Sequence, residues 1–322
     1  MYRKFFQNLI TIITICLFIT NCTIQEKPLG SKENPIKIYF MPGENQEKVS
    51  KSAEILKNFL EKDTNYSINA IVSSDYISII EGFGHKKVDI AFINTFGYLL
   101  TNDCCRAEAY LKVLRGKNIK SYKGEIITHK DSGIKKIEDL NGKTIAFTNQ
   151  YSTAGFILPL KLFQDKKIKP GKTVFAQWYN KVIMMVYNRE VDAGAVYYEP
   201  PENGNIKDAR SELLDQFPDI EQKVIILTTT DEVPNNPIAF RKDLPEEIKT
   251  RMIGAFIKFV RTNEGLKALK DTYDITGFDI AKDSDYNSVR NILQSLGKDV
   301  EDLVPGGFKI YAQKNRFQTD IP

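Results

Sequence analysis

The sequence predicts an α/β protein of two lobes, each a mixed, mainly parallel sheet flanked by helices. Three observations carry this. Short apolar or alternating runs trade places with helix-period runs from Ile36 onward, as in sheets covered by crossover helices. The chain has 322 residues, the length of about two domains. Two passages read as crossings between the halves: residues 120–130, with Gly124 inside, and residues 228–240, with Pro234 and Pro237. Two crossings make the first lobe discontinuous and form a hinge suited to closing on a ligand.

The elements follow in order. Ile36–Phe40 is strand-like, and residues 49–60 set Val49, Ala53, Leu56 and Leu60 on one helical face. Residues 66–72 alternate again, 76–82 turn helical, and 88–93 make a short apolar strand. Further on, strand 143–147 precedes helix 154–164, strand 173–176 precedes helix 180–188, and 193–197 and 225–229 are strands. Residues 245–261 form an amphipathic helix with Ile248, Met252, Phe256 and Phe259 on its apolar side. Asp192 is expected to brace the second half. The expected division is residues 36–124 plus 235–322 for lobe 1 and residues 125–234 for lobe 2.

Residues 1–21 read as an export signal. Arg3 and Lys4 precede an apolar stretch at 9–19 that is too short to span a membrane as a mature helix. Leu17-Phe18-Ile19-Thr20-Asn21-Cys22 resembles a lipoprotein signal, in which the cysteine is lipidated; Asn21 replaces the usual small residue. The expectation is an exported protein in the periplasm or cell envelope, held at a bacterial membrane by acyl chains on Cys22. Residues 22–35 serve as a polar tether. A plain secretory signal with another cut site is the alternative.

Charge and composition exclude several classes. The formal charge is +4, with Arg3 and Lys4 in the leader, which is too weak and dispersed for nucleic acid. The two histidines, His85 and His129, lie far apart, and no set has metal-ligand spacing. No triad order or carboxylate dyad stands out, so neither an enzyme nor a cofactor is expected. Cys104 and Cys105 are adjacent. A strained vicinal disulfide or free thiols are both open, and chance adjacency in a helix or loop is the preferred reading.

Ser152 and Thr153 stand between the strand at 143–147 and the helix that follows. Small hydroxyl residues there favour a helix N-cap. A helix start exposes unpaired N–H groups and partial positive charge, so it can hold an anion. An ordinary cap with no ligand is the plain alternative.

Five segments in series make the reading specific. Ser74-Asp75-Tyr76, with Ile79-Ile80-Glu81-Gly82 and Lys87-Val88-Asp89-Ile90-Ala91, is the first. Lys130-Asp131-Ser132-Gly133-Ile134 with Glu138-Asp139-Leu140-Asn141-Gly142-Lys143 is the second. Ser152-Thr153-Ala154-Gly155-Phe156 with Pro159 is the third, and Val191-Asp192-Ala193-Gly194 the fourth. Pro234-Asn235-Asn236-Pro237-Ile238 with Arg241-Lys242-Asp243-Leu244 is the fifth. Over about residues 36–261 these resemble the phosphonate-binding family of periplasmic solute-binding proteins, which also covers phosphite and phosphate binders.

The resemblance implies a type II periplasmic-binding-protein clamp with a small anionic solute in its cleft. It implies ligand contacts from Tyr76, from Ser152, Thr153 and the backbone at Ala154, and from Glu199, where an acid can hold a ligand amine. Tyr179, Asn236 and Thr95 complete the expected set. Departures are Ala154 for a third serine, Tyr179 for a histidine, Asn236 for an acid and Ile93 for an aromatic. Trp178, Tyr179, Tyr197 and Tyr198 could instead form a cage for an organic or cationic solute. The implied function is the binding subunit of an ABC importer, a monomer docking on an inner-membrane permease. A receptor presenting ligand to a sensor kinase is the alternative on the same clamp.

Overall fold

The computed structural model describes residues 27–297. The expected export signal, Cys16, the expected lipidation site Cys22 and the final segment expected to join lobe 1 lie outside the described residues.

The chain opens with β1 (Ile36–Phe40), whose alternate residues Ile36, Ile38 and Phe40 are buried. Helix α1 (Gln46–Thr64) starts at Asn45, which accepts from the Lys48 amide, and buries Val49, Ala53, Leu56 and Leu60. Then come β2 (Ile68–Val72), α2 (Tyr76–Gly84), β3 (Ile90–Phe92), α3 (Thr95–Cys105) and β4 (Glu108–Leu114). The chain crosses into a second sheet with β5 (Ser121–His129) and β6 (Thr144–Phe147). A π turn at Thr153–Ile157 leads into α4 (Leu158–Asp165), followed by β7 (Lys172–Phe175), α5 (Tyr179–Tyr187), β8 (Ala193–Tyr198), α6 (Ile220–Lys223) and β9 (Val224–Pro234). It returns through β10 (Pro237–Phe240), α7 (Glu246–Val260), α8 (Asn263–Tyr273), β11 (Gly277–Ile280) and α9 (Asn287–Leu296).

The first sheet has the order β11-β4-β10-β3-β1-β2 and the second β7-β6-β8-β5-β9. Strands joined by covering helices pair in parallel: β1 with β2 and β3, and β6 with β7 and β8. The antiparallel pairings all involve β4, β5, β9, β10 or β11. Both sheets are therefore mixed, with a parallel centre extended by strands at the two crossings. Asp192 braces the second sheet: its carboxylate accepts from the Thr144 amide at 2.8 Å.

The crossings are stapled by Asn235, which is 1% exposed. Its side-chain amide donates to the carbonyls of Val113 and Ile119, at 3.0 and 2.9 Å, while its own N–H donates to Lys120. One apolar cluster runs from α2 and α3 through α4 to α9, so the two sheets share buried surface on the hinge side. Cys104 and Cys105 are joined in a vicinal disulfide, which corrects the expectation of chance adjacency. They end α3, where the next residue, Arg106, turns to φ 56° and breaks the helix.

Candidate functional site

A cavity of about 550 Å³ opens between the two sheets. Its walls come from both, because the strands of each sheet end there and hand over to helices or crossings. The ends of β6 and β3 contribute Thr148 and Asn94, α2 contributes Tyr76, and the crossings contribute Tyr122 and Asn236.

The centre of this wall is the turn after β6. Ser152 is an N-cap: its hydroxyl oxygen accepts from the Gly155 amide at 3.0 Å. The first helical backbone bond runs from the Ile157 amide to the Ser152 carbonyl, so the amides of Thr153 and Ala154 precede the hydrogen-bonded turn. The Thr153 hydroxyl oxygen accepts from the Phe96 amide of α3 at 3.1 Å, across the gap between the sheets. Each oxygen is thus held by an amide from behind, and its own proton is the group left to reach an acceptor. Beside them, the Thr148 hydroxyl is buried with no protein partner.

The turn is brought to the cavity by a close approach of strand β5. Gly124 donates to the Thr230 hydroxyl at 2.9 Å, and a Cβ there would stand 2.8 Å from the Ala154 carbonyl oxygen. Only glycine lets the crossing strand lie so near the turn.

Phenols surround this corner. The Tyr179 hydroxyl lies 3.2 Å from Ser152 Oγ. Tyr122 sits against the hydroxyls of Thr153 and Thr95. Burial pushes the Tyr76 phenol up to about 12, and it also raises those of Tyr122, Tyr179 and Tyr197. These groups stay neutral at physiological pH and can donate to an anion. Tyr179 also packs edge-on against Tyr197, with ring centroids 5.0 Å apart.

Of the residues expected from sequence, Tyr76, Ser152, Thr153, Ala154, Tyr179, Glu199 and Asn236 all line this cavity. Thr95 is not in its wall, which corrects that expectation. It is fully buried at the start of α3, and its hydroxyl donates to the Pro234 carbonyl at 3.0 Å. Its place is in the hinge. Trp178 and Tyr197 line the cavity, and Tyr198 does not. Glu199 is not free: its carboxylate accepts from Arg115 Nη1 at 2.5 Å, and it is 3% exposed. Arg115, Tyr122 and Thr148 are wall residues that the sequence does not point to. Among the described residues no cluster of His, Cys, Asp or Glu could hold a metal ion. No helix among them is long and apolar enough to cross a membrane.

Comparison with known proteins places this geometry. The family described as ABC transporter, phosphonate, periplasmic substrate-binding protein matches residues 38–286. The phosphonates-binding periplasmic protein of Escherichia coli K12 is 24% identical over 212 residues, covering 64% of this chain and 60% of that protein. The chain thus spans less than two thirds of that relative's length. A binding-protein component of a phosphonate ABC transporter from Pseudomonas aeruginosa has a similar fold, with TM-score 0.69 and 20% identity over 92% of this chain and 96% of that one. A Prochlorococcus marinus protein solved in complex with methylphosphonate gives TM-score 0.68 and 17% identity over 82% of this chain and 98% of that one.

Proposed function

The chain belongs to the phosphonate-binding family of periplasmic substrate-binding proteins of ABC transporters, and from that premise we propose that it captures a small phosphonate- or phosphate-like oxyanion between two lobes. The lobes are residues 36–120 with 235–297, and residues 121–234, which hold the two sheets. Closure around the solute offers the loaded form to a permease in the inner membrane, and no chemical step occurs on the protein. The protein acts as a monomer, tethered through a lipidated Cys22.

The observation that carries this reading is the turn at residues 152–154. Two hydroxyls and the amides that precede the first helical bond line a cavity at the start of a helical segment, with neutral phenols around them. That set suits an oxyanion with several acceptors. A micromolar complex requires about 8 kcal/mol of net binding. Charge-assisted hydrogen bonds contribute on the order of 1.5–3 kcal/mol each. Three to five of them, offset by the entropy of capture, reach that range with no cation needed at the headgroup.

Calorimetric titration of the purified protein with methylphosphonate and with inorganic phosphate tests the reading. Saturable binding of at least one, weakened about tenfold or more in Ser152→Ala/Thr153→Val, supports it. Equal affinity in the double variant removes the proposed site. Detergent partitioning of Cys22→Ser addresses the anchor, since a variant that still enters the detergent phase is held by something else.

A further inference from the structure

We propose that Arg115 is a specificity-determining residue that occupies Glu199 and so tunes the cavity toward phosphonates without an amine. This rests on the oxyanion-binding reading above and names the class of ligand within it.

Arg115 follows the last strand residue of β4 in the first sheet, and Glu199 follows β8 in the second. They are 84 positions apart in sequence and meet at 2.5 Å across the cavity, with side chains 18% and 4% exposed. Both line the cavity, and the guanidinium stands 6.0 Å from the ring centre of Tyr197. The Arg115 Nε–H is buried with no acceptor in the protein.

The consequences are electrostatic. A buried carboxylate facing a ligand cavity attracts an ammonium group. Here the ion pair has already satisfied that charge. An aminoalkyl ligand would have to bring a second cation beside a buried guanidinium or displace it from its partner, and either step is unfavourable where water cannot screen it. An uncharged alkyl group brings no second cation and can pack on the rings of Tyr179 and Tyr197, which line the cavity beside the ion pair. A ligand oxygen placed near the unpaired Nε would gain a donor that the free protein leaves unsatisfied.

The experiment compares methylphosphonate with 2-aminoethylphosphonate by calorimetry on the wild type, Arg115→Met and Glu199→Gln. The wild type is expected to bind methylphosphonate at least tenfold more tightly. Arg115→Met frees Glu199, so the ratio should move at least tenfold toward the amine. If Arg115→Met does not fold, as judged by its melting curve, Glu199→Gln decides. That variant leaves the guanidinium unopposed and should weaken the amine ligand more than it weakens methylphosphonate. Tighter amine binding by the wild type overturns the inference. So does an unchanged ratio in a folded Arg115→Met, or a loss of amine affinity in Glu199→Gln no larger than its loss for methylphosphonate. All three leave the oxyanion reading standing. Failure of the wild type to bind either compound or phosphate defeats that reading and the inference with it.

Discussion

Two hydroxyls dominate the corner because each is anchored before any ligand arrives. Ser152 is fixed by the Gly155 amide and Thr153 by the Phe96 amide, so little rotamer entropy is left to lose on binding. Removing both hydroxyls in Ser152→Ala/Thr153→Val strands the Gly155 and Phe96 amides, so a still-folded protein should lose about 1–3 kcal/mol of stability while oxyanion affinity falls at least about tenfold, or about 1.4 kcal/mol. These residues are legible in sequence because their signal is local: a hydroxyl pair between a strand and a helix. Tyr76, at the first position of α2 after its cap Asp75, is legible for the same reason. Arg115 is not. An arginine before Gly116 reads as a solvated loop residue, and its partner lies 84 positions away. Thr95 errs the other way: it follows the right strand, but its hydroxyl is committed to the Pro234 carbonyl.

Strand β5 carries two features on which its element depends. Gly124 admits the Ala154 carbonyl, so Gly124→Ala should push the ligand turn aside. It should cost about 1–3 kcal/mol of stability in urea unfolding and also weaken oxyanion binding. Its neighbour Glu125 is fully buried with neither carboxyl oxygen hydrogen-bonded. Burial, with Asp208 nearby, pushes its carboxyl up to about 9 despite Arg210. The folded state therefore holds a proton that the unfolded chain gives up above the ordinary carboxylate range. The resulting stability is full in acid and is lost as pH rises through about 9, at about 1.4 kcal/mol per unit within that window. Glu125→Gln should flatten this slope in chemical unfolding followed between pH 5 and 9. The amphipathic helices were readable from their period: α1 and α7 bury the residues that the pattern selects. Helix α3 was not, because every residue from Thr95 to Thr101 is buried and no polar face marks the turn.

At the scale of the whole molecule, the two sheets are joined by crossings and also by a shared apolar cluster. Helix α9 packs Val289, Ile292 and Leu296 into the cluster that holds Leu158 and Phe163 of α4, and Gln164 reaches the Ser295 carbonyl. The hinge is thus backed on one side by apolar contact and pinned at its centre by Asn235. Asn235→Ala would strand the Val113 and Ile119 carbonyls. It is expected to lower stability by about 2 kcal/mol in denaturant unfolding, and small-angle scattering should show a wider unliganded form. The return of the chain to the first sheet through β10 is marked in sequence by Pro234 and Pro237, whereas Gly124 lies inside β5. The role of α9 is not marked, since packing against the second half depends on distant residues. The central claim concerns where the solute sits between these halves. A crystal structure grown with methylphosphonate tests it directly. The account requires phosphonate oxygens within hydrogen-bonding distance of the Ser152 and Thr153 hydroxyls and the Ala154 amide. A well-ordered ligand elsewhere in the cavity, with that turn untouched, would contradict it.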